Sequence, residues 1–98
     1  MDEAGQDRRS VRVRIEGRVQ GVGYRHWTET AAGSLGLDGW VRNCRDGSVE
    51  AVFAGPEDAV AEMLERCHNG PRSAQVAGVT ILEEGASARA GFRVLPTA

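Results

Sequence analysis

Apolar and polar residues alternate from Val11: Val11, Val13 and Ile15 fall on one side, Arg12, Arg14 and Glu16 on the other. Period two predicts a strand with one buried face. Beyond the stretch GRVQGVGYR (residues 17–25) the period changes. Tyr24, Trp27, Ala31 and Leu35 share one stripe, the spacing of a helix from about Tyr24 to Leu35 packed on a sheet. Gly36 suits its stop. LDGWVRNC reads as a second strand, Asp46-Gly47 as a two-residue hairpin turn, and SVEAVFA as a third strand. GPEDAVAEMLERCHNG reads as a second helix. Pro56 opens its first turn, Glu57 and Asp58 match the positive end of its dipole, and Val60, Met63, Leu64 and Cys67 form its apolar stripe. Gly70-Pro71 ends it. AQVAGVTILEE contains a fourth strand, GASARAG is a loop, and FRVLP is a short last strand.

Strand, helix, strand, strand, helix, strand is the order of the split βαβ arrangement. It predicts an α+β, ferredoxin-like (βαββαβ) two-layer sandwich. The sheet is antiparallel, both helices lie on one face, and a short extra strand follows at the C-terminus. Residues 1–10, polar and mixed in charge, read as a flexible leader, and residues 11–98 as a single domain. The first and second strands should run the same way with one strand between them. The loop after the first and the end of GWVRN then lie at one end of the sheet, two strand spacings or about 10 Å apart.

Composition narrows the chemistry. A net charge of -2 argues against a general nucleic-acid binder, and no RNP-like motif accompanies the strand aromatics. No apolar run approaches the ~20 residues that span a bilayer. Every basic residue other than histidine is arginine, which removes Schiff-base and P-loop lysine chemistry. Cys44 and Cys67 have no CxxC partner, so they read as reduced thiols of a cytoplasmic chain rather than zinc ligands, with a disulfide between them left open.

The glycine loop carries the chemistry. Running into a helix, it exposes several backbone N–H groups in one concavity, and the helix dipole stands behind them. Gly21 and Gly23 permit backbone angles closed to other residues. Arg25 adds a planar fork that grips two phosphate oxygens and stays charged at any working pH. Val19, Gln20, Gly21, Val22, Gly23, Tyr24 and Arg25 are therefore candidates for binding a phosphate-sized anion. Asn43 offers a donor and an acceptor, enough to hold a water molecule, although an Asn before a hairpin can equally be a turn residue. His26 reads as a surface residue, since adjacent helix positions point in different directions, and Glu29 as a solvated helix charge.

GRVQGVGYR, LGLDGWVRN and DGSVE, in this order and spacing, resemble the acylphosphatases. The resemblance is close from about Val11 to Gly55. It implies a small ferredoxin-like hydrolase that splits the carboxyl–phosphate anhydride of an acyl phosphate into carboxylate and inorganic phosphate. It implies no metal and no organic cofactor; nothing in the sequence demands more than a monomer, and its acidic charge and short apolar runs give it no nucleic-acid or membrane partner. By position, Arg25 corresponds to the phosphate-binding arginine, Asn43 to the water-positioning asparagine, and the amides of residues 19–25 to the phosphate cradle. Many members carry Thr where this chain has Cys44, a weaker hydrogen-bonding support if that position holds the Asn side chain. Tyr24 brings a hydroxyl where Phe is commoner.

Overall fold

The computed structural model describes residues 7–98. Its elements are β1 (Arg8–Arg18), α1 (Tyr24–Ser34), β2 (Asp38–Asn43), β3 (Val49–Pro56), α2 (Glu57–Cys67), β4 (Gln75–Glu84) and β5 (Phe92–Val94). They form one five-stranded sheet in the order β4-β1-β3-β2-β5. β1 and β2 each pair antiparallel with β3, so they run parallel to one another with β3 between them. The ferredoxin-like sandwich expected from the pattern is the one observed. β5 joins it by pairing parallel to β2, with Trp40 opposite Arg93 and Val41 opposite Val94.

Two expectations need correction. β1 begins at Arg8, inside the stretch read as a leader, and Arg8–Ser10 pair with Pro56–Ala54. Alternation missed this start because Arg8 and Arg9 meet carboxylates, Asp38 and Glu84, rather than the core. Residues 1–6 of the expected leader lie outside the described residues. The β2–β3 turn is also longer than two residues. Cys44 donates its N–H to Ser48 O at 2.9 Å, leaving Arg45, Asp46 and Gly47 in the bend, with Gly47 at φ 96°. A three-residue connection with a left-handed last residue is the next commonest hairpin.

The core lies between the sheet and the helices. Val11, Val13 and Ile15 of β1 meet Val41, Val49, Ala51 and Phe53, with Val60, Met63 and Cys67 of α2 above them. α1 buries Tyr24, Thr28, Ala31 and Ala32, while Trp27 and Leu35 sit half-buried at the margin of the stripe. Thr28 can be buried because its hydroxyl donates to the Tyr24 carbonyl at 2.8 Å. No described helix is long and apolar enough to cross a membrane.

β3 is buried from Val49 to Gly55, on both faces. On the helix-free face Val52 is 1% exposed, flanked in register by Arg12 on β1 and Trp40 on β2. Glu50 follows on that face. Its carboxylate accepts from Arg12 at 2.7 Å and from Arg42 at 2.8 and 3.0 Å. Burial opposes its ionisation, yet the hydrogen bonds from Arg42 and Arg12 together hold its carboxyl below the usual carboxylate range. Arg42 also lies over the Trp40 ring, 4.8 Å from its centroid. Arginine stems and one indole thus do for this face what the helices do for the other.

Gly39 leaves no room for a side chain between β2 and β3. Its φ is 135°, and an added Cβ would stand 1.8 Å from the Val52 carbonyl oxygen. Gly39→Ala should cost about 3 kcal/mol or more through strain and overpacking. In thermal unfolding that is a midpoint lower by about 10 °C or more.

A second expectation concerns pH. A depressed carboxylate pKa stabilises the fold above the unfolded value, about 4.3, and that stability is lost as pH falls through the folded value. Glu50→Gln should therefore cost about 1–2 kcal/mol at pH 7 in urea unfolding. The deficit should shrink toward zero below about pH 4. A deficit unchanged between pH 7 and about pH 3 would remove the charge from the account.

Candidate active site

β1 ends at Arg18, and five residues carry the chain to Tyr24 at the start of α1. Gly21 and Gly23 both adopt left-handed angles, φ 74° and 81°. Neither would meet an atom within 4 Å if it carried a Cβ, so the backbone angle, not crowding, selects glycine here. Gly23 is the N-cap of α1, and no side chain caps the helix. Its first turn carries no acidic residue. The leading amides and the positive end of the dipole are thus left without an internal partner.

The loop is pinned at two points. The Gln20 side-chain amide donates to the carbonyls of Cys44 and Ser48, at 2.7 and 2.8 Å, and so ties the loop to the β2–β3 turn. Tyr24 is 1% exposed, and its hydroxyl donates to the Cys67 carbonyl at 2.7 Å. Burial pushes that phenol above its ordinary pKa. The hydroxyl that tyrosine adds thus faces the interior and joins the start of α1 to the end of α2. Cys67 itself is buried, and burial pushes its thiol up to about 12.

Asn43 closes β2. Its backbone carbonyl accepts from the N–H of Ala98 at 3.0 Å, and the Ala98 carbonyl accepts from the N–H of Arg45 at 3.0 Å. The C-terminal tail therefore straps the strand end beside Asn43. Val41 faces the core, so strand alternation sends Asn43 toward the helices and Arg42 and Cys44 to the opposite face. The Cys44 thiol lies 3.8 Å from a Glu50 carboxylate oxygen. A hydroxyl-like support of Asn43 by this position is not what the contacts describe. Both cysteines are free thiols.

These elements enclose a cleft of about 410 Å³. Val19, Gln20, Gly21, Gly23, Tyr24, Arg25 and Asn43, all expected at the site, line it. Val22 does not, and its side chain packs against the core. Arg25 is half-buried and makes no ion pair among the described residues. Three further residues, His26, Glu29 and Val94, form part of the lining. Glu29 stands four residues after Arg25, so the helical period could have found it. Val94 arrives through the parallel β5 pairing, which no periodicity signals.

Geometry and ancestry agree. The Acylphosphatase family profile matches residues 11–94. The acylphosphatase of Rhizobium meliloti (strain 1021) is 56% identical over 89 residues, which are 90% of this chain and 94% of that one. A solved acylphosphatase structure from Coxiella burnetii superposes with a TM-score of 0.86 at 33% identity, covering 97% of this chain and 100% of its own. The acylphosphatase crystal structure from Bacillus subtilis gives 0.84 at 34% identity, over 89% of this chain and 98% of that one. With the motif order, the topology and these relatives in accord, the chain belongs to the acylphosphatase family, hydrolases that act on acid anhydrides.

Proposed function

We propose that this chain hydrolyses small acyl phosphates, with Arg25 and the amides of residues 19–25 holding the phosphate and Asn43 positioning the attacking water. The observation that carries this reading is the cleft itself. It gathers a cation without a carboxylate partner among the described residues, an uncapped helix start and a neutral amide. The dianionic phosphate supplies the charge that such a helix start favours. The Arg25 fork and the amides take its equatorial oxygens. Asn43, a neutral amide, orients water as donor and acceptor together without acting as a base.

The reaction needs little else. Water oxygen attacks phosphorus, the bond from phosphorus to the acyl oxygen breaks, and the carboxylate departs with its electron pair. The water proton passes to the phosphate oxygens, giving inorganic phosphate. A carboxylate is a good leaving group, so general-acid help is dispensable, and catalysis is positioning with charge stabilisation. In this reading the enzyme is a metal-independent cytoplasmic monomer, and neither nucleic acid nor membrane takes part.

Release of phosphate from benzoyl phosphate tests the roles separately. Arg25→Ala should lose both phosphate binding and turnover. Asn43→Ala should bind phosphate within a few-fold of wild type, while kcat falls by about 100-fold or more. An Asn43 variant with a normal rate would end the water-positioning role. EDTA should leave the wild-type rate unchanged. A loss restored by added metal would require a different mechanism.

A further inference from the structure

A second cleft, of about 420 Å³, opens on the helix-free side of the β2–β5 pair. Along β5 the residues alternate: Val94 lines the first cleft, whereas Arg93 and the following Leu95 line the second. Gly39, Trp40, Ser87 and Arg89 complete most of its wall. Trp40 and Arg93 are partners across the parallel ladder, so indole and guanidinium stand side by side. Arg89 reaches the same cleft from the loop between β4 and β5.

The charge here is unbalanced. No carboxylate lines the cleft. Asp38, which shares this face of β2, is already held by Arg8 at 3.7 Å and by the Gly91 N–H at 2.8 Å. Glu50, further along the same face, is held by Arg12 and Arg42. Among the described residues Arg89 and Arg93 make no ion pair. Arg42, anchored on Glu50, lies over one face of the Trp40 ring and leaves the other for a ligand in the reading that follows. The site thus offers an indole beside two arginines, in a volume within the ordinary range for small ligands.

We propose that this cleft binds a planar aromatic anion of the nucleoside monophosphate class, its ring on Trp40 and its phosphate between Arg89 and Arg93. Inorganic phosphate would engage the forks and leave the indole bare. A neutral nucleoside would use the indole and leave two cations unmatched. A ligand that joins ring and phosphate uses both. The cleft lies against the same two strands that carry Asn43 and Val94, so an occupant would sit back to back with the catalytic cleft.

Residue-resolved amide NMR of the full chain, titrated separately with 5′-AMP, adenosine and inorganic phosphate, tests this. AMP should move the Trp40 indole N–H and the backbone amides of Ser87, Arg89 and Arg93 with one dissociation constant, on the order of 1 mM or below at low salt. Adenosine and phosphate should each act there at least about tenfold more weakly. The double variant Arg89→Gln with Arg93→Gln should weaken AMP at these signals at least about tenfold, yet hydrolyse benzoyl phosphate at the wild-type rate. If that variant fails to fold, Arg89→Gln alone should weaken AMP about threefold or more. AMP shifts confined to Gly21–Arg25 would overturn the proposal. So would phosphate acting as strongly as AMP, or AMP binding indifferent to the arginine substitutions.

Discussion

A strand buried on both faces sets the conditions for everything else in this molecule. β3 exposes almost nothing from Val49 to Gly55, so it must be flanked on both edges and covered above and below. β1 and β2 take the two edges. Because both run against β3, they run with each other, and their C-terminal ends emerge together. The glycine loop and Asn43 face one cleft for that reason, although 18 positions separate Arg25 from Asn43 in sequence. The helices cover one side of β3. On the other, Val52 lies between Arg12 and Trp40, and Glu50 draws Arg12 and Arg42 inward. The ion cluster is best understood as cover for an apolar strand. Its electrostatic gain comes from lying partly out of water, where charge–charge attraction is stronger.

The glycine loop is held rather than left free. Gln20 fastens it to the β2–β3 turn, and Tyr24 fastens the helix start to the end of α2. In the proposed role, the amides between these anchors are aimed before any anion arrives. Donors arranged in advance need little reorganisation when charge develops, which is why they stabilise a transition state better than flexible ones. Two glycines in left-handed conformation shape the bend, and the rest of the loop needs no unusual backbone angle.

Much of this was legible in the sequence because the signals are local. Alternation located β1, and turn chemistry separated β2 from β3. The glycines before an apolar stripe marked the site. What was hidden depends on contacts between distant segments. The start of β1 was masked by two arginines whose partners lie far along the chain. Val94 entered the cleft only through a parallel pairing of a three-residue strand. Tyr24 could be read as packing, but the destination of its hydroxyl depended on where α2 ends. Cys44 sat beside Asn43 in sequence and faces away from it, since neighbours on a strand occupy opposite sides.

The tail that straps β2 has a further consequence. Every sheet that does not close has two borders at which a foreign strand can add. Here the three-residue β5 forms one border, and the tail prolongs it with bonds from Leu95 to Val41 and between Ala98 and the end of β2. β4 is the other border, and at ten residues the longer of the two. Its pairing with β1 is interrupted by two register shifts, and irregularities of this kind bend and twist a strand. The residues that steady Asn43 therefore put a three-residue strand at the border in place of the six-residue β2, and a short border strand offers a neighbouring molecule few backbone groups to pair with.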